Sequence, residues 1–422
     1  MRFPSKLIAF FDLLIVIFSF IVVYLLRYGT YKNVFTLHII IYSIIILFNF
    51  FVFRLYEAER NTRYRELVMF TLFSLIISTA LIALFVIYLL NLDFARFVFF
   101  TTIILLTFVI PTFHYFITKS LKRTYPSIKI YLFGKKNKSL AKKALADANT
   151  LFNYVEVNDA KNSDIILVTS YDLNDDEYSL LYNYETSYNK RILFLDSFYE
   201  DVYQRIPLEV IPKDYFWRLS SYQTLEYRPE ILIRILDIIF SLIAIVLLSP
   251  FFLVIPIFIK LDSKGKVIFK QERIGKDGKP FIILKYRSMR ADAEKFSGAV
   301  WAKENDPRIT RIGKFLRKTR LDEIPQFFNI LKGDMSLVGP RPERDVFINE
   351  LSKKVPFYTE RLRIKPGLTG WAQVMHKYDE TVDDVKIKVG YDLYYVKYYS
   401  LTFYLKVIFY TLETMIFGKG AK

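Results

Sequence analysis

The chain has 422 residues, 53% of them hydrophobic, and a formal net charge of +17, so it is too apolar for a wholly soluble protein and long enough for two or three domains. With no cysteine and three histidines, disulfides and thiolate metal sites are excluded and most thiol and imidazole routes to catalysis are closed. The basic balance suits anionic lipid or phosphate; no nucleic-acid partner is expected, because helix-turn-helix, zinc and aromatic RNA-binding signatures are missing.

Four apolar segments come first, at 7–26, 34–53, 67–90 and 97–117. Each has roughly 20 residues, enough at about 1.5 Å per residue to cross a hydrocarbon core of about 30 Å. The first is too long for a signal peptide and lacks a small-residue cleavage site, so it reads as an anchor. Arg2 and Lys6 precede the first span, Arg54, Arg60, Arg63 and Arg65 separate the second from the third, and Lys119, Lys122 and Arg123 follow the fourth. The two other connections carry only Arg27 with Lys32, and Arg96. The positive-inside rule therefore predicts four transmembrane helices over 1–120 with both ends cytoplasmic. Asp12, His38, Asn49 and His114 within the spans read as helix-packing groups, with a functional path as the alternative.

Residues 125–222 change character. IKIYLFG (128–134), DIILVTS (164–170) and RILFLDS (191–197) read as short buried strands of a small parallel α/β domain. Gly134 is the only glycine between Gly29 and Gly265, so the domain is Rossmann-like without a G-x-G-x-x-G nucleotide turn. A structural, regulatory or oligomerisation role is expected of it rather than a working NAD site.

A fifth apolar segment, 231–259, admits two readings. It is long enough to span, but Ser249-Pro250 interrupts it, and Arg218, Arg228 and Arg234 before it face Lys260, Lys264, Lys266 and Lys270 after it. A proline that removes a donor, with basic flanks on both sides, favours a re-entrant hairpin over 228–260.

Residues 261–422 hold the chemistry. VIFKQERIGKDGKPFIILKYRSMR (267–290) reads as a β-hairpin turning at 275–280, and on a strand Lys285 and Arg287 share one face. That face suits an anion pocket or a solvated surface. RITRIGKFLRKTRLDEIPQFFNIL (308–331) reads as a basic amphipathic helix with the stripe Ile309, Ile312 and Leu316, able to lie on a membrane surface. Adjacent carboxylates Asp322 and Glu323 follow it. Pro325 sets them at a helix start or break, where they are either N-terminal helix charges or a phosphoryl-transfer pair. Ile324, Phe327, Phe328 and Leu331 form the apolar face after them, and a Gly339-Pro340-Arg341-Pro342 turn closes the stretch. Tyr391, Tyr394, Tyr395, Tyr398 and Tyr399 fit either the headgroup level or ordinary core packing.

VIFKQERIG, KYRSMRADAEK, NDPRITRIGKFLRKTRLDEIPQFFNILKGDMSLVGPRPE, KPGLTGWAQV and YDLYYVK stand in the order seen in bacterial polyprenyl-phosphate hexose-1-phosphate transferases. Over residues 228–422 the chain resembles this phosphoglycosyl transferase family, which starts exopolysaccharide, O-antigen, capsule and related glycan assembly. The four spans and degenerate α/β domain look like its long form. The resemblance implies a Mg²⁺-dependent ping-pong enzyme of the bacterial inner membrane, facing the cytoplasm. Asp322 would attack the β-phosphate of a UDP-sugar, release UMP, and pass the sugar phosphate to undecaprenyl phosphate. Asp322 and Glu323 would hold Mg²⁺, Arg341 and Arg317 would bind phosphate, and Lys285 and Arg287 match the basic strand motif. Gly370 and Gln373 would shape the nucleotide side, and Ser249 and Pro250 the helix break. The lipid bilayer is a partner, and a homodimer is carried as a further one. The sequence departs from the family after TGWAQV, where Met375-His376-Lys377-Tyr378 replaces a glycine-containing turn, which leaves the donor sugar open. A membrane scaffold without catalysis and a membrane-anchored nucleotide-sugar dehydratase are the competing readings.

Overall fold

The computed structural model describes residues 5–30, 34–52, 55–56, 64–82, 96–124, 127–148, 153–218, 229–290, 293, 306–376 and 381–417. Outside them lie 83–90 of the third apolar segment, Arg2, Lys32, Arg54, Arg60 and Arg63, most of the ADAEK stretch, and 377–380 after the TGWAQV turn. The chain forms two compact units, 1–129 with 148–155, and 130–147 with 156–422.

In the first unit, helices Ser5–Tyr28, Val34–Val52, Tyr64–Ile82 and Arg96–Thr124 pack side by side, the first and third each against the second and fourth. Three stretches, Lys6–Tyr28, Tyr64–Ile82 and Phe97–Ser120, are long and apolar enough to cross a membrane, and the second helix carries the shorter apolar stretch His38–Phe51. Phe18, Leu26, Phe48, Phe51 and Phe108 stand exposed, whereas the polar groups turn inward. His114 Nε2 lies 2.8 and 3.0 Å from the two Asp12 carboxylate oxygens, tying the first helix to the fourth. Asn49 donates to Ser78 Oγ at 3.1 Å, tying the second to the third. Asp12, Asn49 and His114 thus make the interhelical bonds that hold apolar helices in register.

The second unit holds most of the parallel α/β domain, without residues 128–129 and 148–155. Its strands are β1 (Ile128–Phe133), β2 (Tyr154–Glu156), β3 (Ile165–Val168) and β4 (Arg191–Phe194), and β3 pairs in parallel with both β1 and β4. Phe133, Ile166, Val168 and Leu181 form its core. Gly134 ends β1 at φ +112°, with space so tight that a Cβ would stand 2.8 Å from Thr169 Oγ1, which accounts for the glycine without a ligand.

The segment after helix Leu195–Tyr203 does not stay in that domain. Ile206, Leu208, Ile211, Tyr215 and Phe216 share one core with Ile348, Leu351, Val355, Tyr358, Val385, Val389 and Leu393. Residues on both sides of the expected division at 222–228 are therefore packed together.

Helices Glu230–Leu247 and Ser249–Asp262 meet at Leu248 with a bend of 61°. Pro250 occupies the first turn of the second arm, where its missing N–H is harmless. Leu242, Ile243, Val246, Leu247, Leu253 and Ile257 around the bend are exposed. Antiparallel β5 (Ile268–Ile274) and β6 (Pro280–Tyr286) follow, then helices Arg311–Thr319 and Gln326–Lys332, and then β7 (Ser336–Val338) and β8 (Gly367–Thr369), which pair in parallel. The basic helix starts at Arg311, so Ile309 falls outside it, in a bridge to Met289. Helix Gln326–Lys332 buries Gln326, Asn329 and Ile330 and leaves Phe328 exposed, so the expected apolar face is rotated. Of the tyrosine cluster, Tyr395 is buried against Phe403, Tyr391, Tyr394 and Tyr399 are half-buried, and Tyr398 is exposed.

Candidate active site

The dyad sits on a turn fixed from both sides. Thr310 caps the basic helix by accepting from Gly313 N–H at 3.0 Å, and Gly313 lies so close to Ser288 that a Cβ would stand 1.9 Å from its carbonyl oxygen. Arg320 ends the helix in the left-handed conformation, φ 57°, and opens the 3₁₀ turn Leu321–Glu323. Pro325 then starts the Gln326–Lys332 helix, and Gly333 ends it at φ 97°. The Glu323 and Ile324 N–H groups are used inside the turn, by Arg320 and Leu321 carbonyls.

Both arms of the bent hairpin reach this region. Arg234 donates to the Ile330 and Leu331 carbonyls, satisfying the C-terminal end of the dyad helix. Asp237 accepts from Ser336 Oγ at 3.0 Å, Leu337 N–H at 2.8 Å and Tyr404 OH at 2.8 Å, anchoring β7. From the second arm, Asp262 accepts from Ile312 N–H at 3.0 Å, at the start of the basic helix. Asn329 completes the frame by bonding Ile282 O (2.7 Å) and Leu284 N–H (3.0 Å) on β6, which sets Lys285 beside Glu323.

At the centre, Glu323 Oε1 accepts from Lys285 Nζ and Arg341 NH2, both at 3.0 Å, and Arg320 NH1 lies 3.9 Å from Oε2. Asp322 is buried and makes no hydrogen bond or ion pair among the described residues. The two carboxylates are electrostatically opposite. Burial alone would raise Glu323, but Lys285, Arg341 and Arg320 hold it well below the glutamate range. Asp322 lies above the usual aspartate value, because burial and the adjacent Glu323 outweigh Lys285, Arg317 and Arg341. Burial also lowers Lys285, against the pull of Glu323.

The structure brings together Asp322, Glu323, Lys285 and Arg341, with Arg317 near enough to act on Asp322 while its Nε donates to Ser288 Oγ at 3.0 Å. Arg287 is not brought there. β6 ends at Tyr286, and the Arg287 guanidinium donates to Lys264 O (3.0 Å), Ser263 O (2.7 Å) and Ser263 Oγ (2.9 Å), closing the end of the second hairpin arm. Gly370 and Gln373 pack around the close approach of β7 and β8. A Cβ at Gly370 would stand 2.3 Å from Gly339 O, and Gln373 donates to Leu368 O at 3.4 Å. They shape the turn that carries Arg341. Ser249 and Pro250 lie at the bend, remote in sequence from the dyad.

Sequence reasoning missed three residues with a part in the site. Arg361 is buried, donates to Arg341 O at 3.0 Å, and is held by Asp392 at 2.6 Å, so it fixes the backbone of the Gly-Pro-Arg-Pro turn. Asp237 stands as a lone acid within an apolar segment, which is the signal that could have found it. Asn329 carries no such mark.

Among the described residues no group of three or more His, Cys, Asp or Glu side chains could hold a metal. An adjacent carboxylate pair still fits Mg²⁺, which takes one or two carboxylates and completes its shell with water and substrate phosphate. Asp322, with no hydrogen bond or ion pair among the described residues, and the weakly engaged Oε2 of Glu323 supply the oxygens that would hold it.

Residues 228–418 match the family model described as bacterial sugar transferase. The chain is 47% identical over 189 residues to the UDP-N-acetylgalactosamine-undecaprenyl-phosphate N-acetylgalactosaminephosphotransferase of Aeromonas hydrophila, covering 45% of this chain and 44% of that protein. It is 39% identical over 194 residues to the UDP-glucose:undecaprenyl-phosphate glucose-1-phosphate transferase of Escherichia coli (strain K12), covering 46% and 42%. It is 42% identical over 199 residues to the exopolysaccharide production protein PSS of Rhizobium leguminosarum bv. phaseoli, covering 45% of this chain and 98% of that protein. The match thus spans less than half the length of the first two relatives and nearly all of the third. The chain belongs to the bacterial sugar transferases, the polyprenyl-phosphate hexose-1-phosphate transferase family.

Proposed function

We propose that this chain transfers a sugar 1-phosphate from a UDP-sugar to undecaprenyl phosphate and so initiates a bacterial glycan. The observation that carries the reading is the contrast within the dyad: Glu323 is pinned by two cations, whereas Asp322 beside it makes no hydrogen bond or ion pair among the described residues. Lys285, Arg341, Arg320 and Arg317 surround two carboxylates, leaving a positive excess that suits a diphosphate dianion. An Asp322 oxygen attacks the β-phosphorus of the donor, and the bond from that phosphorus to the bridging oxygen breaks. UMP leaves with the electron pair, and the sugar phosphate stays on Asp322 as an acyl phosphate. An oxygen of undecaprenyl phosphate then attacks the same phosphorus and frees the carboxylate, so no net proton is exchanged. Glu323 holds Lys285 and Arg341 in place, and Arg341 and Arg317 bind phosphate oxygens. Mg²⁺, held by Asp322 and Glu323, would supply further neutralisation of the approaching charges.

The same reading makes 1–120 four spans in the bacterial inner membrane and 228–260 a re-entrant hairpin with the site facing the cytoplasm. Both hairpin ends are bonded to one folded body, through Arg234 and Asp237 at one end and Asp262 at the other. Arms of 18 and 14 residues bent by 61° are about 27 and 21 Å long, so with both ends at one surface the bend lies about 12 Å deep, short of the far side of a core of about 30 Å. Cysteines introduced at 225 and 265 should label from the same, cytoplasmic, side; labelling from opposite faces would establish a fifth span.

The enzymatic test is UMP release from a UDP-sugar panel with undecaprenyl phosphate and Mg²⁺, beginning with UDP-N-acetylgalactosamine, the donor named in the Aeromonas relative. No release with any member, from folded protein in a bilayer, defeats the reading.

A further inference from the structure

Three cations face Glu323, and they are not equivalent. Lys285 and Arg341 both bind Oε1 at 3.0 Å and come from β6 and from the turn after β7, elements fixed by Asn329 and by the β7–β8 pair. Arg320 faces the other oxygen, Oε2, at 3.9 Å, beyond hydrogen-bond distance, and its side chain is 48% exposed against 18% for Lys285 and 35% for Arg341. Its backbone, at φ 57°, lies in the left-handed region that a helix normally ends with glycine. A strained backbone that delivers a loosely held, solvent-facing guanidinium next to a nucleophile is the pattern of strain kept at a functional site. Lys285 and Arg341 are each held by a 3.0 Å bond to Oε1. Arg320 has donors to spare and stands on the side open to solvent, from which a water-soluble nucleotide enters.

We infer that Arg320 is a phosphate-binding residue of the donor site, taking the nucleotide-side phosphate that leaves as UMP. This rests on the transfer reading above. On donor arrival Arg320 exchanges its loose contact with Oε2 for charge-assisted bonds to phosphate oxygens, and Oε2 becomes available to a cation. The exchange is favoured because the contact given up is long and half exposed. No bond to phosphorus is made by Arg320, so its contribution lies in binding donor and product, not acceptor.

Glycine at this position provides a test that spares the fold, since it accepts φ 57° without a Cβ. Wild type, Arg320→Gly and Arg320→Lys are compared in nanodiscs, measuring KM for the UDP-sugar, Ki for UMP, KM for undecaprenyl phosphate and Tm. Arg320→Gly should raise the donor KM and the UMP Ki together by about 10- to 100-fold, the range for a hydrogen bond to a charged group. The acceptor KM and Tm should hold, and Arg320→Lys should recover part of the loss. A donor KM and UMP Ki within about twofold of wild type, or an equal rise in the acceptor KM, overturns the inference. Wild type that releases no UMP removes the transfer reading itself, and this inference with it.

Discussion

Deleting residues 1–227 leaves the family-matched segment 228–418 whole, and the 98% coverage of the Rhizobium relative invites the view that this segment stands alone. The packing says otherwise for this chain. The deletion removes Ile206, Leu208, Ile211, Tyr215 and Phe216 from a core whose other half, Ile348 to Leu393, stays behind. At about 1.5–3 kcal/mol for each buried side chain, the loss is roughly 7–15 kcal/mol, and a discount of up to about 40% for a compact unfolded state leaves roughly 4–9 kcal/mol. Whole domains are stable by only about 5–15 kcal/mol. Polar contacts go too: Trp371 Nε1 loses the Gln204 carbonyl at 2.9 Å, Gly390 O loses Ile206 N–H at 3.1 Å, and Lys397 and Tyr398 lose Glu200 at 2.8 Å. Fragment 228–422 is therefore expected to aggregate or melt far below the full chain in the same detergent, by size exclusion and by Trp fluorescence on heating. A graded version, Phe216→Ala in the full chain, should cost about 3–5 kcal/mol. A monomeric fragment melting within about 3 °C of the full chain and releasing UMP at its rate would refute the shared-core argument.

Three further outcomes follow from the site. Asp322→Asn should lower UMP release by roughly 10⁴-fold or more, since the proposed nucleophile is removed. Folding raises the Asp322 pKa, so ionising it costs stability as pH rises from the ordinary aspartate range through the raised value; the Asn variant should flatten that dependence and match or exceed wild-type Tm at pH 8. Glu323 is the reverse case: its depressed pKa stabilises the fold above the ordinary glutamate range, and that stability is lost as pH falls toward the depressed value. Glu323→Gln leaves Lys285 and Arg341 facing one another, at a cost of about 3 kcal/mol given the partial exposure of Arg341, read as a fall in Tm of roughly 6–12 °C at pH 7. Asp237→Ala strips three donors of their acceptor and should cost about 3 kcal/mol or more in urea unfolding, whereas Asp237→Asn, which keeps an oxygen, should cost less.

How far the sequence was legible depended on whether a feature was local. The apolar helices, the β-hairpin at 268–286, the break beside Pro250 and the dyad at a helix start all follow from composition, period or proline chemistry within a short window. What stayed hidden depends on distant partners. Lys285 and Arg287 share alternation, yet the strand ends between them, and the carbonyls of Ser263 and Lys264 take Arg287 away from the dyad. The tyrosines of 391–399 fitted either a headgroup level or a core, because an aromatic beside an apolar helix has the same spacing in both. Gln204 touching Trp371 across 167 positions has no local signature at all.

The same non-local bonds tie the bent helix pair to the site. The dyad turn has no strong cap of its own, and its helix ends on carbonyls that Arg234 of the first hairpin arm satisfies. The strand leading to Arg341 is anchored by Asp237 of that arm, and the basic helix carrying Arg317 and Arg320 begins on Asp262 of the second. Each cation around Asp322 except Lys285 is thus placed by a residue of the bent helix pair, whose Leu242, Val246, Leu247 and Leu253 stand exposed. Losing these bonds would free Arg341, Arg317 and Arg320 together and leave only Lys285, of these four, held beside the two carboxylates. Under the transfer reading proposed above, a site assembled in this way would be competent only where a lipid acceptor also resides.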